Sequence, residues 1–83
     1  MEKTLINLFV PSVQEEYDLF APSDLKVSEL VSVLAIGVED LSNGHYSISN
    51  KEKLLRTNPD AVLNPQKSLR ESGVKNGTRL IMI

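Results

Sequence analysis

The sequence predicts an α+β fold in which one main helix packs on a mixed sheet of four to five strands. Three features support it. Lys3 to Val10 and Glu16 to Ala21 alternate between apolar and polar residues, as expected for a strand hairpin. Apolar residues then recur at helical spacing from Val27 to Leu41. The last sixteen residues, Ser68 to Ile83, combine a capped turn, a tight turn and an apolar strand.

The first two strands each have a predicted core face and a predicted outer face. In the first strand Ile6, Leu8 and Val10 share one face, and Leu5, Asn7 and Phe9 share the other. The short polar connection after Pro11 predicts a hairpin. In the return strand Tyr17, Leu19 and Ala21 share a face, and Phe20 points the other way.

The middle of the chain carries the strongest periodic signal. Its apolar positions are Val27, Leu30, Val31, Leu34, Val38 and Leu41, which predict an amphipathic helix of about four turns. Gly37 lies inside this pattern and marks a place where the helix bends or ends. Gly44 is a second stop and suits a left-handed cap.

Short strands and a loop are expected after the helix. His45 to Ser49 is interpreted as a third strand with Tyr46 and Ile48 inward, and Lys53 to Arg56 as a fourth. The polar segment from Thr57 to Lys67, with two prolines, is interpreted as a loop.

The chain closes on a capping box, a turn and a strand. Ser68 and Glu71 have the S-x-x-E spacing of a capping box, and Asn76-Gly77 is a turn dipeptide. The last strand, Arg79 to Ile83, would place Leu80 and Met82 in the core. Because the first and last strands are the most apolar, we expect them to pair in parallel at the centre of the sheet. This is the arrangement of a β-grasp fold.

Composition narrows the class of function. The 83 residues form one predicted domain, 1–83, that is 41% hydrophobic and 24% charged, with a net charge of −2. No basic cluster suited to nucleic acid is present, and no apolar run is long enough to insert in a membrane. The absence of cysteine excludes disulfides and thiolate metal sites and agrees with a cytoplasmic location.

No residues have the pattern of a catalytic or metal site. His45 is the only histidine and cannot supply three or four zinc ligands, so we interpret it as a surface residue. The adjacent carboxylates Glu15-Glu16 and Glu39-Asp40 face different ways on a strand or helix and are interpreted as solvated charge. The glycines lack the spacing of a phosphate-binding loop. We therefore predict a protein that is not an enzyme and has no cofactor.

Three stretches together resemble the YukD/EsaB family of small bacterial ubiquitin-like proteins. They are Tyr17 to Val31 (YDLFAPSDLKVSELV), His45 to Lys53 (HYSISNKEK) and Leu69 to Leu80 (LRESGVKNGTRL). The resemblance implies a ubiquitin-like fold and a non-conjugated, cytoplasmic accessory protein of a type VII (ESX-like, WXG100-exporting) secretion system. It implies the system's ATPase or membrane subunits as protein partners, with a homodimer as an alternative.

Two further interpretations stay open beside this resemblance. Related domains form the cytosolic N-terminus of the EccD-type membrane component, and an excised domain of that kind would also end on its last strand. A ubiquitin-like modifier or sulfur carrier is disfavoured, because it needs a C-terminal Gly-Gly tail and the sequence ends at Ile83. One departure from the family pattern is the long segment Arg56 to Ser68. We favour an inert insertion over a partner-specific contact, since loops lengthen at small cost.

The candidate functional site is an apolar patch on the outer side of the sheet. Alternation places five residues there, which are Leu5, Phe9, Phe20, Ile81 and Ile83. Exposed apolar surface on a sheet indicates a protein-binding or self-association site. Two alternatives remain: Leu5 and Phe9 cover the ends of the sheet, or a register shifted by one residue exchanges its two faces and buries them. Ser49 is expected near the centre of this side, where ubiquitin has an apolar residue, so ubiquitin's own receptors are not expected to bind.

Overall fold

One helix and a five-stranded sheet make up the part of the chain that the computed structural model describes, residues 2–57 and 60–83. The elements are β1 (Lys3–Val10), β2 (Glu15–Pro22), α1 (Val27–Leu41), β3 (Leu54–Arg56), β4 (Ala61–Val62) and β5 (Thr78–Met82). The predicted bounds of β1 and the predicted start and end of the helix agree with these.

The sheet has the order β2-β1-β5-β3-β4. β1 and β5 lie side by side in parallel at its centre, as predicted, and the other neighbouring pairs are antiparallel. Side chains on one face of the sheet, among them Ile6, Leu8 and Leu80, are fully buried and form the core together with α1. The register that the sequence predicts for β1 is therefore confirmed, and the one-residue shift is excluded.

The helix follows the predicted periodicity with two exceptions. Val27, Leu30, Leu34, Ala35 and Val38 are buried, whereas Leu41 in the last turn is 58% exposed, contrary to prediction. The helix also runs through Gly37 without ending there. It ends at Leu41, and Gly44 adopts the expected left-handed conformation with φ of +81°.

The long segment from Arg56 to Ser68 is part of the fold and is therefore not structurally inert. That it makes no partner-specific contact stays a prediction. Residues Ala61–Val62 form β4, an edge strand paired with β3, where we expected only a loop. No side chain caps the N-terminus of α1. Instead the N–H of Val27 donates to the carbonyl oxygen of Lys67, and the N–H of Ser28 to that of Pro65. The segment therefore satisfies backbone groups that a helix leaves unpaired. Asn58 and Pro59, at its tip, lie outside the described residues.

The predicted third strand at His45 to Ser49 is wrong, because this stretch is irregular. Tyr46 is buried and Ile48 half-buried, as predicted, but side chains bind the backbone here in place of a neighbouring strand. The N–H of Tyr46 donates to Ser42 Oγ at 2.9 Å, and the N–H of Ser49 donates to Glu52 Oε2 at 2.7 Å. Alternation in this stretch therefore reflects an irregular loop packed against the core.

The end of the chain agrees with prediction except for the bounds of the last strand, which is Thr78–Met82 where Arg79 to Ile83 was expected. Ser68 and Glu71 form a reciprocal capping box, in which Glu71 N–H donates to Ser68 Oγ at 3.1 Å and Ser68 N–H to Glu71 Oε1 at 3.0 Å. Gly77 turns the chain with φ of +88°. Its N–H donates to the carbonyl oxygen of Leu5 at 2.8 Å, while Asn76 Oδ1 accepts the N–H of Leu5 at 2.9 Å. The turn thus aligns β5 with β1.

Candidate protein-binding surface

The side of the sheet that faces away from α1, called here the outer surface, carries the five residues of the predicted patch. Strand pairing places Leu5 opposite Phe20 and Phe9 opposite Ile81. Leu5, Phe9 and Ile81 are half-buried, whereas Phe20 is 66% exposed. Ile83 exchanges two backbone hydrogen bonds with Lys53, of 2.8 and 3.0 Å, and is 57% exposed.

The register divides these five residues into two groups. Leu5 and Phe20 lie at one end of the β1–β2 hairpin. Phe9 and Ile81 lie at the other end of β1 and on β5, and Ile83 follows β5 directly. Between them runs a polar row of Asp18, Asn7 and Arg79, because Asn7 is paired with Asp18 on one side and Arg79 on the other. The patch is therefore two apolar areas with polar side chains between them.

The polar side chains between the two areas are held by contacts with one another. Asn7 Nδ2 donates to Asp18 Oδ1 at 2.9 Å. The guanidinium of Arg79 lies over the ring of Phe9, 5.2 Å from its centroid, and 3.6 Å from Glu16 Oε2. Arg79 therefore covers part of Phe9 and offers a cation beside the apolar side chains.

Two outer residues were missed by the sequence prediction. Ile81 pairs with Leu55 of β3, and Leu55 pairs with Val62 of β4, so an apolar line crosses four strands. We call this line the outer apolar row; its members are Phe9, Ile81, Leu55 and Val62. The signal for Leu55 was present, since the Leu54-Leu55 doublet within a strand places one leucine on each face.

Ser49 does not lie at the centre of the outer surface, contrary to expectation. It belongs to the irregular stretch before β3, where its Oγ accepts the N–H of Lys51 at 3.1 Å. Leu55, which is apolar, occupies the sheet position beside Ile81. We predicted that ubiquitin's receptors do not bind because a polar Ser49 lies at the centre of this surface. The structure does not support that reason.

A second apolar feature lies on the opposite side of β3 and β4. A groove of about 700 Å³ separates the flank of α1 from β3, β4 and the segment before β3. Val31, Ile48 and Leu63 are among its apolar lining residues, and Ser28 and Lys53 are among its polar ones. Val62, Leu63 and Pro65 of the long segment form one wall, so the edge residue Val62 borders both this groove and the outer apolar row.

The segment between α1 and β3 is fixed by a hydrogen-bonded carboxylate. Tyr46 Oη donates to Glu52 Oε2 at 2.8 Å, and the same oxygen accepts the N–H of Ser49. Burial alone would raise the pKa of Glu52, but these hydrogen bonds outweigh it and hold the pKa below its ordinary value. Burial, reinforced by the bond to Glu52, raises the pKa of Tyr46. The pair is therefore a neutral phenol bound to an ionised carboxylate.

No metal-binding or membrane-crossing arrangement occurs in residues 2–57 and 60–83. Within these ranges no three histidine, cysteine or carboxylate side chains gather as metal ligands, and no helix is long and apolar enough to cross a bilayer. His45 is exposed, and its Nδ1 lies 2.7 Å from the carbonyl oxygen of Ser42. Glu39 and Asp40 are exposed on α1.

Comparison with known proteins establishes the fold. No family model and no curated protein sequence matches the chain. Among solved structures, the ubiquitin-like domain of the Mycobacterium tuberculosis type VII secretion system protein EccD1 is similar, with a TM-score of 0.77 and 14% identity, over 100% of this chain and 99% of that one.

Two further structures extend this likeness. The EccD5 ubiquitin-like domain of Mycobacterium xenopi has a TM-score of 0.70 and 16% identity over 100% of this chain and 94% of its own. Ubiquitin from Caldiarchaeum subterraneum has a TM-score of 0.68 and 13% identity, over 99% and 92% of the two chains. The strand order, the parallel pairing of β1 with β5 and these likenesses together give the chain a ubiquitin-like β-grasp fold.

Proposed function

We propose that this chain is a non-catalytic, cytoplasmic protein-binding domain of a bacterial type VII secretion system, which docks on its partner through the outer apolar row. The outer apolar row is the observation that carries the proposal. Its four residues lie on neighbouring strands, and Val62 is 57% exposed, on a side of the sheet that a solvated protein normally keeps polar.

The assignment to type VII secretion draws support from shape and from sequence motifs. The likeness to the EccD1 domain extends over the whole chain at a TM-score of 0.77. This favours the cytosolic ubiquitin-like domain of an EccD-type membrane component over a free-standing YukD/EsaB-like accessory protein. The coding sequence beyond Ile83 separates the two, since the EccD-type proposal requires membrane-spanning segments downstream.

Arg79 gives the docking surface a polar contact beside the apolar one. Its guanidinium is half-exposed and lies over Phe9, so it can meet a carboxylate of the partner while the ring remains covered. A partner surface with apolar residues and a nearby acidic side chain therefore complements the outer apolar row.

The test is binding of the purified chain to the cytosolic part of the type VII ATPase from the same cell, measured by isothermal titration calorimetry. Phe9→Asp with Ile81→Asp should abolish binding while thermal unfolding stays cooperative. Val33→Asp with Ile36→Asp changes exposed residues of α1 and should leave binding intact. Undiminished binding by the first double variant would refute the docking surface.

A second variant covers the case in which the first double variant does not fold. Val62→Asp alters the most exposed member of the row and should weaken binding without unfolding the chain. Failure of the unaltered chain to bind the ATPase or a membrane subunit of the system would refute the assignment to type VII secretion.

A further inference from the structure

β2 lies at one edge of the sheet and offers an unpaired strand of full length. All eight of its residues pair with β1, and no strand in the described part of the chain pairs with its other edge. The opposite edge is β4, which has only two residues. β2 is therefore the edge with enough length to accept another strand.

The register identifies which backbone groups face away from β1. The N–H of Ser23 donates to the carbonyl oxygen of Glu2, and hydrogen-bonded pairs alternate along an antiparallel ladder. Tyr17, Leu19 and Ala21 therefore bond to β1, and the N–H and C=O groups of Glu16, Asp18 and Phe20 point outward. Leu5, which lies opposite Phe20, confirms this alternation. Its N–H and C=O bond to the turn before β5 and so are not bonded to Phe20.

The charge of the side chains along this edge favours one kind of added strand over another. Glu15, Glu16 and Asp18 place three carboxylates within four positions, and β2 contains no lysine or arginine. Arg79 of β5 lies 3.6 Å from Glu16 Oε2, so three carboxylates and one guanidinium leave this edge with a net charge of −2. A second copy of the chain, paired edge to edge, would bring these carboxylates against their equivalents, which is unfavourable. A segment with basic side chains would have the opposite effect.

Phe20 adds an apolar contact to the same edge. Its side chain is 66% exposed on the outer surface. Asp18 and Glu16, two and four residues before it, are also exposed there. Residues two apart on an added strand would lie beside these three in turn. The edge therefore presents two acidic positions followed by one aromatic position at strand spacing.

We propose that the outward edge of β2 binds an extended basic segment of a protein partner as a sixth strand. Lysine or arginine side chains of that segment lie beside Glu16 and Asp18, and an apolar side chain lies beside Phe20. Main-chain hydrogen bonds to Glu16, Asp18 and Phe20 supply the pairing. The two surfaces adjoin, because Glu16 is paired with Phe9, but strand addition uses the outward backbone groups of β2 and does not depend on the role of the outer apolar row.

The probe is a seven-residue synthetic peptide in which four threonines alternate with two lysines and one leucine, titrated into isotope-labelled protein at low salt. The expected result is a shift of the backbone amide signals of Glu16, Asp18 and Phe20, with slower hydrogen exchange of these three amides. If these amides do not change while the peptide binds elsewhere, or if it does not bind, the proposal is overturned.

Two modified peptides separate strand pairing from simple charge attraction. Methylation of the alternate amide nitrogens that face β2 should weaken binding by about tenfold or more, because the hydrogen bonds are lost. Methylation of the other alternate nitrogens should leave binding unchanged. Equal binding by the two peptides would overturn the proposal.

Charge reversal provides the matched protein variant. Glu16→Lys with Asp18→Lys should lose the basic peptide and gain a peptide in which glutamates replace the lysines. Val62→Asp, on the opposite edge strand β4, should bind the basic peptide as the unaltered chain does while weakening binding through the outer apolar row, so the two binding surfaces can fail independently. Retained affinity of the charge-reversed variant for the basic peptide would contradict the proposed side-chain contacts.

Discussion

The carbonyl oxygen of Lys67 accepts the N–H of Val27 at a distance of 2.9 Å, so the residues just before the capping box close the first turn of α1. Ser28 is bound in the same way by Pro65. Because of these contacts and the pairing of β4 with β3, we expect the long segment to stabilise the whole fold. Substitution of its two neighbouring apolar residues, Val62 and Leu63, measures how much the segment contributes to the free energy of unfolding.

Leu63→Ala is expected to destabilise the chain strongly, whereas Val62→Ala is not. Leu63 is 5% exposed and belongs to the core, so its truncation should cost about 2 to 5 kcal/mol. Val62 is 57% exposed, and its truncation should change the free energy of unfolding by less than about 0.5 kcal/mol. Urea unfolding of both variants gives the comparison. Equal effects would contradict the structural role of the segment.

Glycine to alanine substitutions at two positions are expected to have opposite signs. Gly37 lies inside α1, and a Cβ there would meet no atom within 4 Å, so Gly37→Ala should stabilise the chain by about 1 kcal/mol. Gly77 has φ of +88°, so Gly77→Ala should destabilise it by about 1 to 2 kcal/mol. Thermal melts of the pair decide the matter, and the same sign at both positions would refute the proposed conformations.

The capping box is expected to contribute measurably to stability. Ser68→Ala removes the acceptor of the Glu71 N–H and should cost about 1 kcal/mol. Glu71→Gln keeps a side-chain oxygen that accepts the N–H of Ser68 and serves as the control. The free energy of unfolding, measured in urea, should be close to that of the unaltered chain for Glu71→Gln and lower for Ser68→Ala. An unchanged value for Ser68→Ala would mean that the box does not stabilise the turn.

The lowered pKa of Glu52 leads us to expect that the folded chain loses stability in acid. Its pKa is lowered in the folded state from an ordinary value of 4.5, so its contribution is present above that pH and is lost as the pH falls further through the folded-state pKa. Glu52→Gln should therefore depend less steeply on pH than the unaltered chain below about 4.5. Glu39→Gln, on the exposed side of α1, controls for the removal of a charge.

The measurement for Glu52 is the free energy of unfolding as a function of pH. Tyr46→Phe removes the donor to Glu52 Oε2 and should reduce the difference between the carboxylate and amide variants. If the three curves for the unaltered chain, Glu52→Gln and Glu39→Gln were parallel below pH 4.5, the hydrogen-bonded carboxylate would not contribute to acid sensitivity.

Most of the fold could be predicted from periodicity, because each long element spans several repeats of its pattern. β1 alternates between apolar and polar residues over eight positions, and the apolar residues of α1 recur at helical spacing over fifteen. The first and last residues of both elements were predicted closely. β4 has two residues, too few for any alternation to be recognised. Leu41 has the correct spacing for the core but lies at the end of α1, where it is 58% exposed.

The false third strand has a different cause. His45 to Ser49 alternates like a strand because Tyr46 and Ile48 do point toward the core. What a strand also needs is a hydrogen-bonding neighbour, and here the side chains of Ser42 and Glu52 take that place. Alternation reports which side chains face inward, and it carries no information about backbone partners.

The outer surface was predictable strand by strand but not as a whole. Alternation alone placed Leu5, Phe9 and Ile81 on one side of the sheet. The polar row between the two apolar areas depends on Asn7 pairing with both Asp18 and Arg79, a register that no single strand encodes. The continuation to Leu55 and Val62 depends in the same way on the pairing of β3 with β4 and β5.

The parallel pairing of β1 with β5 also constrains how the chain folds during synthesis. Ile6 pairs with Thr78, so the centre of the sheet joins segments from opposite ends of the described sequence. A ribosome must therefore release β5 before β1 gains its second neighbour, and until then the hairpin of β1 and β2 and helix α1 exist without the strand that completes their core. The sheet of this domain is expected to be completed only after Met82 has left the exit tunnel.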